Sequence, residues 1–557
     1  MNRKHFLRCP KITACLAAAV CIEGTLLMAA GPQSNSIAAP YVSKVWIADN
    51  GDGTYKNPIL YADYSDPDVI RVGDDYYMTA SSFTCFPGLP ILHSKDLVNW
   101  TLIGHAVPQY PDALFDLPQH GKGIWAPAIR FHDEHFYIFW GDPDAGIYMV
   151  KSKNPAGPWD KPVLALAGKG LIDTCPLWDE DGNAYIVHGW AGSRTGGFNS
   201  VLTVRRMKPD GTEISPEGRH VFDGHDRHPT LEGPKFYKRN GYYYIFAPAG
   251  GVTTGWQTIL RSKSIWGPYE DKIVLDQGTT SVNGPHQGGW IETPSGQSWF
   301  IHFQDAGAYG RIVHLQPVKW VNDWPVMGID KDGDGKGEPV LTFAKPDIKG
   351  HFPIVSPAES DEFDTDTLGL QWQWQGNPQI TWYALLPGKD YLRLFALPLP
   401  HPEATLWDTP QLLLQKFPAP DFSASVKITL TPVYDGKRAG LIIMGDDYAC
   451  LSLNAKQQKL WLTQSVCLNA VKGGKEKILA EYPMDASAVY LQVQVSSPDA
   501  QCRFRYSLDG QQYREIGDVF TAKAGRWVGA KVGLFCLSDP SARAGGYADF
   551  DWFRIDK

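Results

Sequence analysis

Helix-forming runs are what this 557-residue sequence has least of: beyond residue 30 there is no long stretch of Ala, Leu, Glu and Lys at helical spacing. That argues against bundles and alternating α/β folds. Basic blocks are missing too. The formal net charge is −8, and no Lys/Arg stripe interrupts the acidic balance, so a phosphate backbone is excluded as a partner, and nucleic acid with it. Cysteine at metal-ligand spacing is a third absence. Of nine cysteines, Cys9, Cys15 and Cys21 fall near the N-terminus, and Cys85, Cys175, Cys450, Cys467, Cys502 and Cys536 are scattered. What is plentiful is glycine (55), proline (42) and aromatic residues at 12%, the signature of short strands joined by turns, so the chain reads as all-β. Twenty Trp and 25 Tyr suit stacking on sugars, and equally suit β cores. The length exceeds one compact core, so two domains are expected.

The first thirty residues stand apart. Arg3, Lys4, Arg8 and Lys11 precede an apolar stretch from Ile12 to Ala30, and small and polar residues follow from Gly31 to Ala39. This pattern is an export signal over residues 1–30, and it predicts a secreted, periplasmic or cell-surface protein. Glu23 weakens the apolar stretch, which leaves an uncleaved anchor or a lipid-modified cysteine as the alternative. Ile12-Thr-Ala-Cys15 loosely fits a lipoprotein site but has almost no apolar run before it. Residues 1–30 carry four basic residues and one acidic, so their removal takes the net charge from −8 to −11. No integral membrane partner is predicted.

A pattern then returns five times, each copy a turn followed by aromatic and β-branched residues: Asp74-Asp-Tyr-Tyr-Met, Glu134-His-Phe-Tyr-Ile, Gly182-Asn-Ala-Tyr-Ile, Gly241-Tyr-Tyr-Tyr-Ile and Gln297-Ser-Trp-Phe-Ile. Each copy is a hairpin. With Tyr77, Tyr137, Tyr185, Tyr244 and Phe300 as markers, the intervals are 60, 48, 59 and 56 residues, the length of a four-stranded propeller blade. A second recurring element, as in Ser94-Lys-Asp-Leu-Val-Asn-Trp100, marks the third strand handing over to the fourth. The repeat stops near Lys345, and alternating strands such as 423–430 and 490–495 follow, which suits a two-sheet sandwich. The sequence therefore predicts a linker over 31–54, a five-bladed propeller over 55–345 and a β-sandwich over 346–557.

Eleven to fourteen residues before each marker stands a polar or aromatic residue, usually near a proline: Asp66, Trp125, Asp173, Glu232 and His286. These positions are expected to be equivalent. The first strand of every blade lines the central channel, so they converge on the axis, and three of the five are acids. Converging carboxylates beside a Trp wall suit glycoside hydrolysis, in which one acid protonates the leaving oxygen and another carboxylate activates water or attacks carbon. A third carboxylate raises the pKa of its neighbour and keeps the general acid protonated.

On these motifs the chain resembles glycoside hydrolase family 43. Asn57-Pro-Ile-Leu60 followed by Ser65-Asp-Pro-Asp68 is similar to the family's opening strand and catalytic base, Ile172-Asp173 to the site of the acid that tunes the pair, and Glu232-Gly-Pro234 to that of the general acid. The resemblance implies an inverting enzyme with Asp66 as base, Glu232 as acid and Asp173 as modulator. It further implies that Trp125 and Phe83 face the sugar and that Arg311 hydrogen-bonds it, although each also suits packing. His286 resembles a histidine that in many members helps hold a hydrated, non-catalytic calcium; its alternative is a hydrogen-bonded core histidine. No cofactor is required. Asp330-Lys-Asp-Gly-Asp-Gly335 looks like a calcium loop, but Leu341 stands where the closing acid belongs, so it reads as a polar turn.

The second domain resembles the concanavalin-like sandwich of family xylosidases, with Tyr547 to Arg554 similar to its closing strand. A loop over 521–530 with Trp527 near its tip is then the candidate to narrow the pocket, which favours attack at a chain end. The expected function is exo-acting hydrolysis of terminal α-L-arabinofuranosyl or β-D-xylosyl residues from plant hemicellulose oligosaccharides, with a slight lean to the arabinoside. A non-catalytic propeller for glycan capture is the competing reading.

Overall fold

The structure is a computed structural model that describes residues 40–431, 434–543 and 545–557. The expected export signal and the first part of the linker lie outside the described residues. Five four-stranded antiparallel sheets follow one another as blades. Their inner strands are Asp68–Val72, Trp125–His132, Leu171–Trp178, Lys235–Arg239 and His286–Glu292, and their outer strands are Trp100–Val107, Val163–Ala167, Ile214–Asp223, Glu270–Leu275 and Trp324–Met327. The predicted hairpins join the first two strands of each blade. Two of these turns have left-handed residues at both positions, Asp133-Glu134 (φ 45° and 57°) and Asn240-Gly241 (50° and 71°), the geometry whose twist matches that of paired strands.

The ring is closed by the chain's own ends. Thr54–Lys56 pairs antiparallel with Thr342–Ala344, and buried Asn57 donates from Nδ2 to the Leu315 and Val340 carbonyls at 2.8 Å each while its Oδ1 accepts from Leu315 N at 2.8 Å. The channel is plugged rather than open. Asp68 of blade 1 accepts from Arg130 of blade 2 at 2.6 Å, and Arg130 reaches Cys175 of blade 3 at 2.9 Å and lies over the Tyr237 ring of blade 4. Tyr237 Oη in turn accepts from Trp290 N of blade 5 at 3.0 Å. This circuit pairs the buried Asp68 and Arg130 charges through Asp68 Oδ2, leaves Oδ1 without a hydrogen-bond partner, and sets a floor beneath whatever binds above it.

Beyond the propeller, two eight-stranded sheets stack face to face. Their strands alternate inward apolar and outward polar residues, as in Ala488–Ser496, where Val489, Leu491, Val493 and Val495 point into an apolar core with Phe550, Phe553 and Trp372. Burial of each such side chain contributes about 1.5–3 kcal/mol. The sandwich rests on blade 1: Phe86 and Trp374 exchange backbone hydrogen bonds, and Asn377 ties the segment before it to Tyr110.

Candidate active site

Antiparallel strand alternation puts the starts of all inner strands, the loops between second and third strands and the blade-to-blade connections on one face of the propeller. At that face each inner strand is entered through one left-handed residue: Asp66 (φ 53°), Ala126 (33°), Asp173 (58°), Gly233 (60°) and Gln287 (36°). In three blades the ladder also shifts register there, between Trp125 and Ala128, Ile172 and Cys175, and His286 and Gly288. A bulge re-aims the side chains beside it, and a non-glycine residue in this conformation costs about 1–3 kcal/mol, a strain that concentrates at functional sites. The repeat corrects the expected equivalence. Asp66 and Asp173 occupy the left-handed position itself, whereas Trp125, Glu232 and His286 precede it by one residue, so the five side chains leave the backbone in two different directions.

A pocket of about 200 Å³ opens at this face, lined by Asp66, Asp173 and Glu232 together with Phe83, Trp125, Arg311 and Trp527. All seven residues that the sequence nominated for catalysis or sugar contact are thus brought together. A larger groove on the sandwich touches none of them. The active pocket is below the ~300 Å³ at which drug-sized ligand sites begin, a size for one sugar ring rather than for a polymer.

Asp66 is buried and held from three sides. Its Oδ2 accepts from Ser65 Oγ at 2.7 Å and Ser81 Oγ at 2.6 Å, and its Oδ1 accepts from Arg311 Nη1 at 2.9 Å. A carboxylate has about four lone-pair sites, so one remains for a water in the pocket. Ser81 Oγ also accepts from Ala126 N at 2.7 Å, which ties the Asp66 carboxylate to the strand that carries Trp125. Asp173 is also buried, and its Oδ2 accepts from Gly233 N at 2.8 Å. Burial, then the charge of Glu232, pushes its carboxyl well above the usual carboxylate range, with Asp66 adding to the rise and the Gly233 N–H opposing it. Asp173 is thus a carboxyl that readily keeps its proton where an ordinary carboxylate would lose it.

Glu232 differs in exposure: a third of its side chain faces the pocket, while His286 behind it is fully buried. Their Nε2–Oε1 distance is 2.9 Å. When Nε2 donates to Glu232, His286 Nδ1 presents a lone pair that has no partner in the protein. That orphaned atom suits a water or one ligand position of a hydrated ion. Among the described residues the only cluster of three acidic, His or Cys ligand atoms is the exposed Asp330, Asp332 and Asp334 loop, so His286 belongs to no protein-built cage. A calcium ion here fits only with water supplying most of its six to eight oxygen ligands.

The aromatic walls are oriented rather than loose. Trp125 Nε1 donates to Gly121 O at 3.1 Å, and its ring meets Phe83 and Trp527 edge-on with centroids 6.1 and 6.0 Å apart. Trp527, at φ 65°, comes from the sandwich and completes the wall between Trp125 and Arg311, whose guanidinium lies 5.7 Å from its ring. The sequence reading missed Trp190, Asn199, Thr230 and Gln287, which also line the pocket, and Arg194, whose guanidinium sits 6.0 Å from the Trp125 ring while paired with Asp144. For Arg194 and Asn199 the available signal was the glycine-punctuated stretch from Ala191 to Ser200, the loop between the second and third strands of the blade that carries Asp173.

Known proteins agree with this picture. Residues 55–325 match the family described as glycosyl hydrolases family 43, and residues 360–556 match the beta xylosidase C-terminal concanavalin A-like domain. A protein of Xylanibacter ruminicola is 40% identical over 505 residues, covering 89% of this chain and 88% of its own. The beta-xylosidase of Formosa agariphila is 33% identical, covering 91% of each. The non-reducing end alpha-L-arabinofuranosidase BoGH43B of Bacteroides ovatus is 30% identical, covering 90% of this chain and 94% of its own.

Proposed function

This chain belongs to glycosyl hydrolases family 43, and from that premise we propose that it is an exo-acting, inverting β-D-xylosidase that removes terminal xylosyl units from xylo-oligosaccharides, with terminal α-L-arabinofuranosides as its second substrate. The broader reading, a glycoside hydrolase of the β-xylosidase or arabinofuranosidase kind, follows from the family and its relatives. The choice of xyloside replaces the slight lean to arabinoside. It rests on the Formosa agariphila relative and on the xylosidase type of the C-terminal domain, whereas the Bacteroides ovatus relative keeps the arabinoside in play.

One observation carries the mechanism: three carboxylates in one pocket stand in three different environments. Asp66, held by Arg311 and two hydroxyls, is the base. It takes a proton from a water whose oxygen attacks the anomeric carbon. As the C–O bond to the leaving sugar breaks, Glu232 gives its proton to the departing oxygen. Each turnover leaves Asp66 protonated and Glu232 ionised, and solvent resets both. Asp173 is the modulator. Buried beside Glu232 and held by Gly233 N, its carboxyl is coupled to Glu232 by charge, so the state of Asp173 bears on the proton that the acid gives. A hydrated calcium ion at His286 would add positive charge behind this pair, and no step depends on it. Export through the residue 1–30 signal would place the enzyme where such oligosaccharides are met.

The test is hydrolysis of p-nitrophenyl β-D-xyloside and p-nitrophenyl α-L-arabinofuranoside by wild type, Asp66→Asn and Glu232→Gln. Turnover that favours the xyloside and collapses in Asp66→Asn supports the reading. A wild type inactive on both, or an Asp66→Asn variant as active as wild type, refutes it.

A further inference from the structure

Asp63 lies three residues before the proposed base and has no part in the chemistry above, yet it is 4% exposed and each of its oxygens has its own backbone donor. Oδ1 accepts from Arg311 N, in blade 5, at 2.9 Å. Oδ2 accepts from Gly529 N, in the sandwich loop that carries Trp527, also at 2.9 Å. A single carboxylate thus bridges the propeller arginine on Asp66 and the sandwich tryptophan that walls the pocket. The approach is close enough to need two glycines: a Cβ on Gly310 would stand 2.6 Å from the Asp63 carboxyl, and one on Gly529 would stand 2.8 Å from the Gly310 backbone. A second bond, Ala530 N to Ala308 O at 2.7 Å, fastens the same loop to the turn before Arg311. Beside Trp527, Gly525 N donates to Val528 O at 2.9 Å, so the tip is a tight turn whose position follows from these anchors.

We propose that Asp63 is a positioning residue for substrate specificity: it sets the sandwich loop against blade 5 so that Trp527 closes the pocket at one sugar ring and Arg311 stays aimed at Asp66. The inference rests on the pocket assigned above. A carboxylate satisfies both N–H donors at once. An amide in its place turns one donor group toward an N–H, and alanine leaves two buried N–H groups without partners.

The experiment compares wild type, Asp63→Asn, Asp63→Ala and Gly529→Ala by hydrogen exchange and by steady-state kinetics on p-nitrophenyl β-D-xyloside. Exchange over residues 521–530 and 306–312 is expected to rise in Asp63→Ala while the blade 3 strands stay protected. KM is expected to rise about five- to tenfold in Gly529→Ala with kcat within about twofold, because the added Cβ pushes the sandwich loop off the Gly310 backbone while Asp63 keeps its bond from Arg311 N. In Asp63→Ala kcat falls as well, because Arg311 loses its backbone anchor, and Asp63→Asn lies between Asp63→Ala and wild type. Adding Trp527→Ala to Asp63→Ala should raise KM no further. Unchanged exchange over 521–530 overturns the proposal, and so do kinetic constants equal to wild type beside a lowered melting temperature, which would make Asp63 a structural tie alone. Exchange is read without substrate, so inactivity of the wild type would refute the functional reading and leave exchange to decide this one.

Discussion

Replacing Glu232 by glutamine separates proton donation from the residue's other contacts. The amide keeps the shape of the side chain, and its oxygen can still accept from His286 Nε2, now 2.9 Å from Glu232 Oε1, so the pocket should keep its form. What is lost is the transferable proton, whose contribution in general acid catalysis is about 10²- to 10⁴-fold, or about 2.7–5.4 kcal/mol at 1.36 kcal/mol per tenfold. The loss should depend on how much the leaving group needs the proton. With xylobiose, whose departing alkoxide is strongly basic, kcat/KM should fall by nearly the full factor. With 2,4-dinitrophenyl β-D-xyloside, whose phenolate leaves unaided, it should fall less than about tenfold. The assay is steady-state kinetics on both substrates. An equal loss on both would refute Glu232 as the acid.

Asp66→Asn should lose about 10³-fold or more on both leaving groups alike, because activation of water is needed whatever departs; retained activity on the dinitrophenyl xyloside would count against the base assignment. The same variant leaves the Arg311 guanidinium beside a neutral amide and should lower stability by about 1–3 kcal/mol, read by thermal unfolding. Asp173→Asn should do the opposite. Burial and Glu232 raise the folded-state pKa of Asp173 above its unfolded value, so wild-type stability present at low pH is lost as pH rises through the raised value. Its melting temperature should therefore exceed that of wild type by more at pH 8 than at pH 4, while kcat drops; an advantage largest at acid pH would mean that the carboxyl is not raised. Trp527→Ala should raise KM for short xylosides about five- to tenfold through the loss of about 1 kcal/mol of aromatic contact, with kcat less affected.

The propeller was legible because its repeat is written in residues that answer to local rules. Tyr77, Tyr137, Tyr185, Tyr244 and Phe300 each sit one hairpin turn into a blade, and hairpin turns impose glycine, Asn or Asp where φ is positive. The acids were legible for a related reason: position within a repeat makes a carboxylate informative that would mean nothing alone. The pocket's rim was less so. Thr230, Asn199 and Arg194 stand on loops whose length and course vary from blade to blade, and no periodicity says which loop folds over the axis. Trp527 was reached only through the resemblance, since a residue more than 400 positions from Asp66 in sequence is brought to it by the docking of two domains.

The one-residue error in equivalence shows where local rules stop. Counting from the hairpins aligned Asp66 with Glu232 because both precede Gly or Pro near the start of an inner strand, and a strand of period two turns such a slip of one residue into a change of face. The left-handed residue in each blade absorbs that slip differently: in blades 1 and 3 it carries the acid itself, and in blade 4 it is Gly233, with the acid one residue earlier. Asp66 and Asp173 therefore leave the backbone in the same sense and are both buried, while Glu232 leaves in the other and keeps a third of its side chain in the pocket. An enzyme that needs one carboxylate to take a proton from water and another to give one to the leaving oxygen gains from this break in symmetry, since the two must meet the substrate from different directions. Shifting Glu232 onto the left-handed position, as in the double variant Glu232→Gly with Gly233→Glu, should accordingly abolish acid catalysis although the same carboxylate remains in the same blade. Retention of more than about a hundredth of wild-type kcat/KM on xylobiose would show that the register of the bulge does not matter.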